Sequence, residues 1–266
     1  MKMPTDGGKE CAAGGQRGWL VTALLLVAVL AGGCAAAGNT GRQEGAAAIA
    51  EAASAAWKTL PGDEALKAAY QPYLSDPGDP ALTADAQNKL GAFAVGDVLS
   101  ASLINPEKKV VLSTEADRVG TSVWDSRVNR RVRADSTDFG VLGWKDDQPV
   151  LIAERRVPAA QNLSGFFEMT RALPEIEKEI AAQNAKGYTV VLIGNDNQSI
   201  LWDGKTEPML ENTSDRINGL EDLNDHAYRG DLSESTGKIR FRVGKNAYAG
   251  VYQEVDGLGW IVVVGR

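Results

Sequence analysis

The sequence predicts an α+β protein: N-terminal helices, then two modules, each a roughly five-stranded antiparallel sheet with flanking helices. Three observations carry this. Two hairpin phrases of similar build stand about ninety residues apart, VLSASLINPEKKVVLST from Val98 and TVVLIGNDNQSILWDG from Thr189. Between them lies a helix signal, Pro174 followed by EIEKEIAAQNAK and then Gly187. The chain closes on three further strand phrases, the last an apolar run, WIVVV, that suits the middle of a sheet. Two copies at so long a period imply two related modules and no solenoid.

The elements follow in order. Ala46 to Leu60 is alanine-rich, with Ile49, Ala53, Ala56, Trp57 and Leu60 at three- and four-residue spacing, so it reads as a helix stopped by Pro61-Gly62. Asp63 to Leu74 gathers Leu66, Ala69, Tyr70 and Tyr73 on one side, with Pro72 expected to kink or end it. Thr83 is the expected N-cap of a short helix over Ala84 to Phe93. In the first hairpin Asn105-Pro-Glu-Lys makes the turn between Val98–Ile104 and Lys109–Ser113. Glu115 to Arg133 reads as an irregular connection with a short helix. Thr137–Trp144, Pro149–Val157 and Ser164–Arg171 complete the first sheet, around a Lys-Asp-Asp-Gln turn. Acids in the first turn after Pro174 and a glycine at the far end frame the linking helix. In the second module the polar stretch Lys205 to Gly237 is expected to hold one or two short helices. Lys238–Val243, Asn246–Val255 and Gly259–Val264 supply the remaining strands.

Composition narrows the function. The 266 residues are enough for one large or two small domains with a real core, and 44% hydrophobic with 24% charged residues is ordinary for a folded chain. The formal net charge is -7, and removing residues 1–33, with three cations and two carboxylates, leaves -8. Such a domain is repelled by nucleic acid and by anionic membrane surfaces, so nucleic acid is not an expected partner. The only cysteines, Cys11 and Cys34, lie near the N-terminus, and His226 is the one histidine. A disulfide framework, a cysteine or poly-histidine metal site, and Ser-His-Asp or Cys-His catalysis are thereby disfavoured. No cofactor motif appears: GVLGW and GLGW are turn and strand glycines, and Asn195-Asp-Asn-Gln lacks the glycine and terminal glutamate of a calcium loop. The chain is expected not to be an enzyme.

Residues 1–33 read as a signal peptide: Lys2, Lys9 and Arg17, then an uncharged run from Trp19 to Leu30 too short to span a bilayer, then small residues up to Cys34. LAGGC resembles the bacterial lipobox, although Ala31 stands where leucine is commonest. The resemblance implies a diacylglycerol thioether on Cys34 with a further N-acyl group such as palmitate. Several acyl chains hold a soluble domain firmly on a membrane. Ala35 after the cysteine resembles the pattern that permits export to the outer membrane in a two-membraned bacterium. Residues 34–45 are expected to be the lipidated cysteine and a flexible tether.

The order of these parts resembles the double Cache (dCache) sensor domain. The phrase VVLST at 110–114 with Gly120, and the ending Tyr248-Ala-Gly-Val-Tyr-Gln-Glu-Val, Asp256-Gly-Leu-Gly and Trp260-Ile-Val-Val-Val, carry the likeness, which covers about 46–266. It implies a long N-terminal helix and two PAS-like (Cache) modules: helices and a membrane-distal module over 46–186, and a membrane-proximal one over 187–266. It also implies a small extracytoplasmic ligand in the distal module and signalling, as in chemotaxis, through a membrane receptor or histidine kinase. Cache domains commonly lie between two transmembrane helices. Here a lipid is expected in place of the helix, with no output domain of the chain's own. Arg-x-Trp-Tyr, the mark of the amino-acid-binding subgroup, is missing, so an amino-acid ligand is not supported.

The candidate ligand residues are Trp124, Arg127, Arg130, Asp138 and Trp144. An arginine can hold a carboxylate bidentately, and tryptophan offers a flat apolar wall or a cation seat. Small-molecule sites combine a few such polar groups with apolar walls. The plain alternative is that four arginines in seven residues form a solvated, ion-paired surface. Phe166, Phe167 and Met169 read as core on alternating strand faces, and His226 with Glu221, Asp222 and Asp225 as a solvated acidic loop. The function expected is a membrane-tethered sensor that binds a small molecule and acts through a partner. The alternative is a structural or interaction lipoprotein on the same scaffold that has lost its ligand.

Overall fold

The computed structural model of the chain describes residues 39–123, 138–157, 165–204 and 217–266, and the backbone of 209–212. Residues 42–266 make one compact unit, and 39–41, the described part of the other, are helical.

The first helix, α1, covers residues 39–58. It begins well before the expected Ala46, so residues 39–45, expected in the tether, are helical. Arg42, Gln43 and Glu44 are good helix formers, and Ala46 and Ile49 are fully buried behind them. Gly45 is required here: a Cβ would stand 2.4 Å from Gln183 Oε1 of the linking helix, so glycine lets the two helices approach. After Pro61-Gly62, α2 runs Asp63–Ser75, with Asp63 and Glu64 in its first turn. Pro72 neither ends nor breaks it. The proline cannot donate to the Ala68 carbonyl, and Lys89 Nζ donates there instead at 3.1 Å. α3 is Pro80–Phe93, capped by Asp79, whose side chain accepts from Ala81 N at 2.7 Å. This displaces the expected Thr83 cap, because aspartate followed by proline at the first helical position is the stronger start. Thr83 Oγ1 instead donates back to the Asp79 carbonyl.

The first sheet holds β1 Val98–Ile104, β2 Val110–Ser113, β3 Phe139–Lys145, β4 Gln148–Val157 and β5 Gly165–Ala172, in the order β2-β1-β5-β4-β3. A two-residue turn joins β3 to β4, with Asp146 at φ 50° and Asp147 at φ 60°, the left-handed pair that a tight hairpin needs. The linking helix α4, Pro174–Ala185, ends at Gly187 with φ 78°.

The second sheet holds β6 Thr189–Ile193, β7 Gln198–Trp202, β8 Met209–Asn212, β9 Ile217–Asn218, β10 Thr236–Val243, β11 Asn246–Val255 and β12 Trp260–Gly265. One helix, α5 Glu221–Arg229, precedes β10. Seven strands stand where five were expected, because β8 and β9 add short edges. Four and two residues are too few to show a period in the sequence. The order is β8-β7-β6-β12-β11-β10-β9. Without these edges it reads β7-β6-β12-β11-β10, so each sheet places its strands second, first, fifth, fourth, third. The two modules therefore repeat one another in topology.

One apolar core joins α1 and α2 to both sheets, from Leu103, Phe167 and Leu151 to Val262 and Trp260. Tyr70 stacks on Phe167 with centroids 6.0 Å apart, and Phe93 meets Phe167 edge-on at 5.7 Å. At the joint between the sheets, Asn195 Nδ2 donates to the Gly140 carbonyl of β3 at 3.1 Å and to the Leu258 carbonyl at 2.8 Å. The Trp260 indole donates to the same Gly140 carbonyl at 3.2 Å. A Cβ on Gly140 would lie 2.8 Å from Leu151 and Leu258 and 3.0 Å from Trp57, which is why glycine occupies the crossing.

Candidate functional site

The two sheets differ in what they bury. The second is mostly apolar on both faces, with the Thr189 and Ser199 hydroxyls also buried: Val190, Leu192, Val262 and Val264 face the shared core, and Val191, Ile193, Ile261 and Val263 face α5. The first buries a continuous apolar face only toward the helices. Strand side chains alternate between faces, and the other face carries a polar row.

The register defines that row. Ser102 pairs with Ser113 on one side and Glu168 on the other, Glu168 with Glu154, and Glu154 with Phe139. Ser102 and Glu154 are fully buried, with Glu168 at 4% and Ser113 at 5% exposure. Ser100 and Thr170, also buried, form the neighbouring row. Ile104, Val110, Val141 and Phe166 supply apolar contacts on the same face.

Burying two carboxylates directly opposite each other on adjacent strands is unfavourable unless cations offset them. Arg118, in the 3-10 turn Ala116–Arg118 after β2, supplies one. Its Nη2 lies 2.7 Å from Glu168 Oε1, and its Nη1 donates to Ser102 Oγ at 3.3 Å. The Ser102 and Ser113 hydroxyls are 3.0 Å apart, and Ser113 Oγ accepts from Glu115 N at 3.0 Å. Glu115 in turn pairs with Lys145. Glu115 follows one edge strand and Lys145 ends the other, so this pair reaches across the polar face. Lys108, at the β1–β2 turn with φ 64°, is nevertheless 5% exposed. Its Nζ stands 3.1 Å above the centre of the Phe166 ring. The face thus offers hydroxyls, carboxylates and guanidinium groups over an apolar margin, a donor and acceptor set that suits binding a small polar molecule.

Of the residues singled out from sequence, Trp124, Arg127, Arg130 and Cys34 lie outside the described residues. Asp138 is bound to Arg155, whose Nε donates to Asp138 Oδ2 at 2.5 Å and whose Nη1 donates to the Pro61 carbonyl at 2.7 Å. Trp144 packs against the shared core beside Leu142. The period of two places Arg155 and Trp144 on the helix side, so the structure brings neither Asp138 nor Trp144 to the polar row. Phe167 and Met169 face the helices and Phe166 the other side, as the alternation predicts.

The residues that the sequence reading missed are Ser100, Ser102, Ser113, Glu154, Glu168, Thr170 and Arg118. Their signal is present: in VLSASLI, IAERRV and GFFEMTR, polar residues fill alternate positions. Such alternation ordinarily marks a solvated face, and only the burial distinguishes this one. His226 at the C-terminal end of α5 bonds Asp231 at 2.7 Å, which with Arg229 holds that carboxyl below its usual range.

Hollows also flank α1. One of about 380 Å³ is lined by Ala48, Ala52, Ala55 and Asp97 among others, and one of about 500 Å³ by Ala47, Ser54, Lys58 and Asp256 among others. Glu51, Asp97, Arg171 and Glu175 also stand around the first, and Glu51, Gln253 and Glu254 around the second; the row on the first sheet is preferred as the candidate because its carboxylates are buried. Among the described residues no helix is long and apolar enough to cross a membrane.

The arrangement is the double-Cache sensor fold. Similar structures include the extracellular domain assigned to the histidine kinase rpHK1S-Z16 (TM-score 0.58, 14% identity, 85% of this chain and 93% of that one). The sensor domain of the Vibrio cholerae histidine kinase DctB is similar over 85% of this chain and 96% of its own (TM-score 0.56, 12% identity). The ligand-binding domain of the Pseudomonas aeruginosa PAO1 amino-acid chemoreceptor PctC, solved with GABA, is similar over 84% and 95% (TM-score 0.56, 15% identity). No protein-family model matches the sequence, and no curated protein matches it.

Proposed function

We propose that this chain is an extracytoplasmic sensor module that binds a small molecule on the polar face of its first sheet and reports occupancy to a partner protein. One observation carries the reading. Two modules share a strand order, yet among the described residues only the first buries carboxylates, Glu154 and Glu168, on a face that packing against α1 and α2 does not need. A buried polar face costs stability, and ligand recognition is the use that accounts for it. The similar structures, extracellular or sensor domains of kinases and chemoreceptors, support a sensing role and a non-enzymatic one.

In this reading residues 1–33 are a signal peptide and Cys34 is lipidated. Residues 46–186 form the ligand-binding module and 187–266 the module nearer the membrane. A membrane receptor or histidine kinase reads the bound state. Signalling requires that ligand and partner each favour one of two conformations. The joint at Gly140, which both Asn195 and Trp260 grip, lies one residue from Phe139 of the polar row and would transmit a shift.

Mass spectrometry of the full-length chain from its cell envelope tests the proposal. It should show acyl mass on the Cys34 peptide and a co-purifying small molecule released on unfolding. Cys34→Ser should move the chain to the soluble fraction. A chain without acyl mass sinks the anchor. A chain that binds one protein partner regardless of any small molecule favours the interaction scaffold, for which the internal Arg118–Glu168 pair is the supporting observation.

A further inference from the structure

Four cations carried by the first sheet and its connections are matched to carboxylates: Arg118 to Glu168, Lys145 to Glu115, Arg155 to Asp138 and Asp63, and Arg171 to Asp97. Arg156 is not. It sits on β4 opposite Phe166, on the polar face, with its guanidinium carbon 5.8 Å from the centre of that ring. Among the described residues its Nε is buried without a hydrogen-bond acceptor. A cationic N–H shut away from water without an acceptor is costly, and folded chains keep few such groups without a use for them. The Lys108 ammonium reaches the same ring from the β1–β2 turn, 3.1 Å from its centre.

Glu154 limits what the row accepts. It precedes Arg156 by two residues on the same strand and face, about 7 Å away at the rise of an extended chain, and is fully buried. A second negative group on a ligand at that spacing would meet this buried carboxylate and compete for the contact that it already makes. We infer that the first sheet takes a small acid carrying one negative charge, with its anionic group held by Arg156. This rests on the proposal that this face is the ligand site, and adds the ligand's charge and the residue that reads it. An arginine fork suits a carboxylate or a comparable oxyanion.

The test is thermal unfolding of the full-length chain with defined probes. These are acetate, propionate, lactate and benzoate as monoanions, malonate and succinate as dianions, and propionamide and propylamine as neutral and cationic counterparts. A ligand that binds only the folded state raises the midpoint saturably. At least one monoanion is expected to do so, and the dianions less. Arg156→Gln should weaken that monoanion's apparent affinity at least tenfold and Arg156→Lys by less. Arg171→Gln, on the opposite face, should leave it unchanged. Equal stabilisation of wild type and Arg156→Gln overturns the inference, as does a dianion binding as well as a monoanion. If propionamide or propylamine stabilises and no anion does, the inference falls and the sensor proposal stands. If no probe of any class binds, the inference falls, whereas the sensor proposal falls only if a broad metabolite library also yields no saturable ligand.

Discussion

Arg118 lies beyond the edge strand β2, and its guanidinium reaches across β1 to Glu168 on β5, closing to 2.7 Å over a floor of serine hydroxyls. The Glu168 side chain is 5% exposed and that of Arg118 26%. The pair therefore acts as a nearly buried one. Such a pair adds little against an apolar replacement of both partners, yet removing one partner is expensive.

Arg118→Ala should therefore cost about 2–4 kcal/mol, because it strands the Glu168 carboxylate. Arg118→Leu with Glu168→Leu should recover most of that loss. Chemical denaturation of the three chains measures both. If the double variant is as unstable as the single one, the stranded charge is not the cause.

Pro72 and Lys89 should be coupled. The proline leaves the Ala68 carbonyl without its helical donor and Lys89 supplies one. Lys89→Met should cost about 0.5–1 kcal/mol in the native chain and close to nothing beside Pro72→Ala, which restores the backbone donor. A double-mutant cycle in denaturant reads the difference. Additive effects would mean that the side-chain bond contributes nothing.

Tyr70 is fully exposed to the core and not to solvent, and burial raises its phenol well above the usual range. Among the described residues its hydroxyl has no partner. Tyr70→Phe should therefore stabilise the chain by about 1 kcal/mol, while the ring contacts with Phe167 and Phe93 stay. A loss of stability in thermal melts would reveal a bond to that hydroxyl.

Glu254 on β11 has its carboxyl raised above the usual range, first by burial and then by the Asp256 carboxylate. The folded value exceeds the unfolded one, so the ionised form opposes folding. That penalty is present above the folded value and vanishes as the pH falls below the unfolded one. Glu254→Gln should stabilise at about pH 7, and its advantage should shrink toward about pH 4. Melting curves across that window check the sign, and an advantage that grows on acidification would refute it.

Much of this architecture is legible in the sequence, for a stated reason. Hairpins at 98–113 and 189–202, the linking helix with Pro174 and Gly187, and the final apolar strand each rest on local rules of period, turn and cap. What the sequence hid depends on burial. Ser100 and Ser102 alternate with Leu99, Ala101 and Leu103 as they would on a solvated strand. Only the folded chain shows that the hydroxyl side is shut in and that Glu168 and Glu154 stand side by side. Trp144 and Asp138 fall on the helix side of the sheet, which one residue of register separates from the polar row. The edge strands β8 and β9 were hidden by their brevity, and the passage of α2 through Pro72 by a donor seventeen residues away.

The most direct test of the ligand site is the melting midpoint of the full-length chain across a broad metabolite library, repeated with Arg118→Gln. The account predicts a compound that raises the wild-type midpoint saturably and binds the variant at least tenfold more weakly. A library without such a compound, or one that stabilises both chains alike, would contradict it.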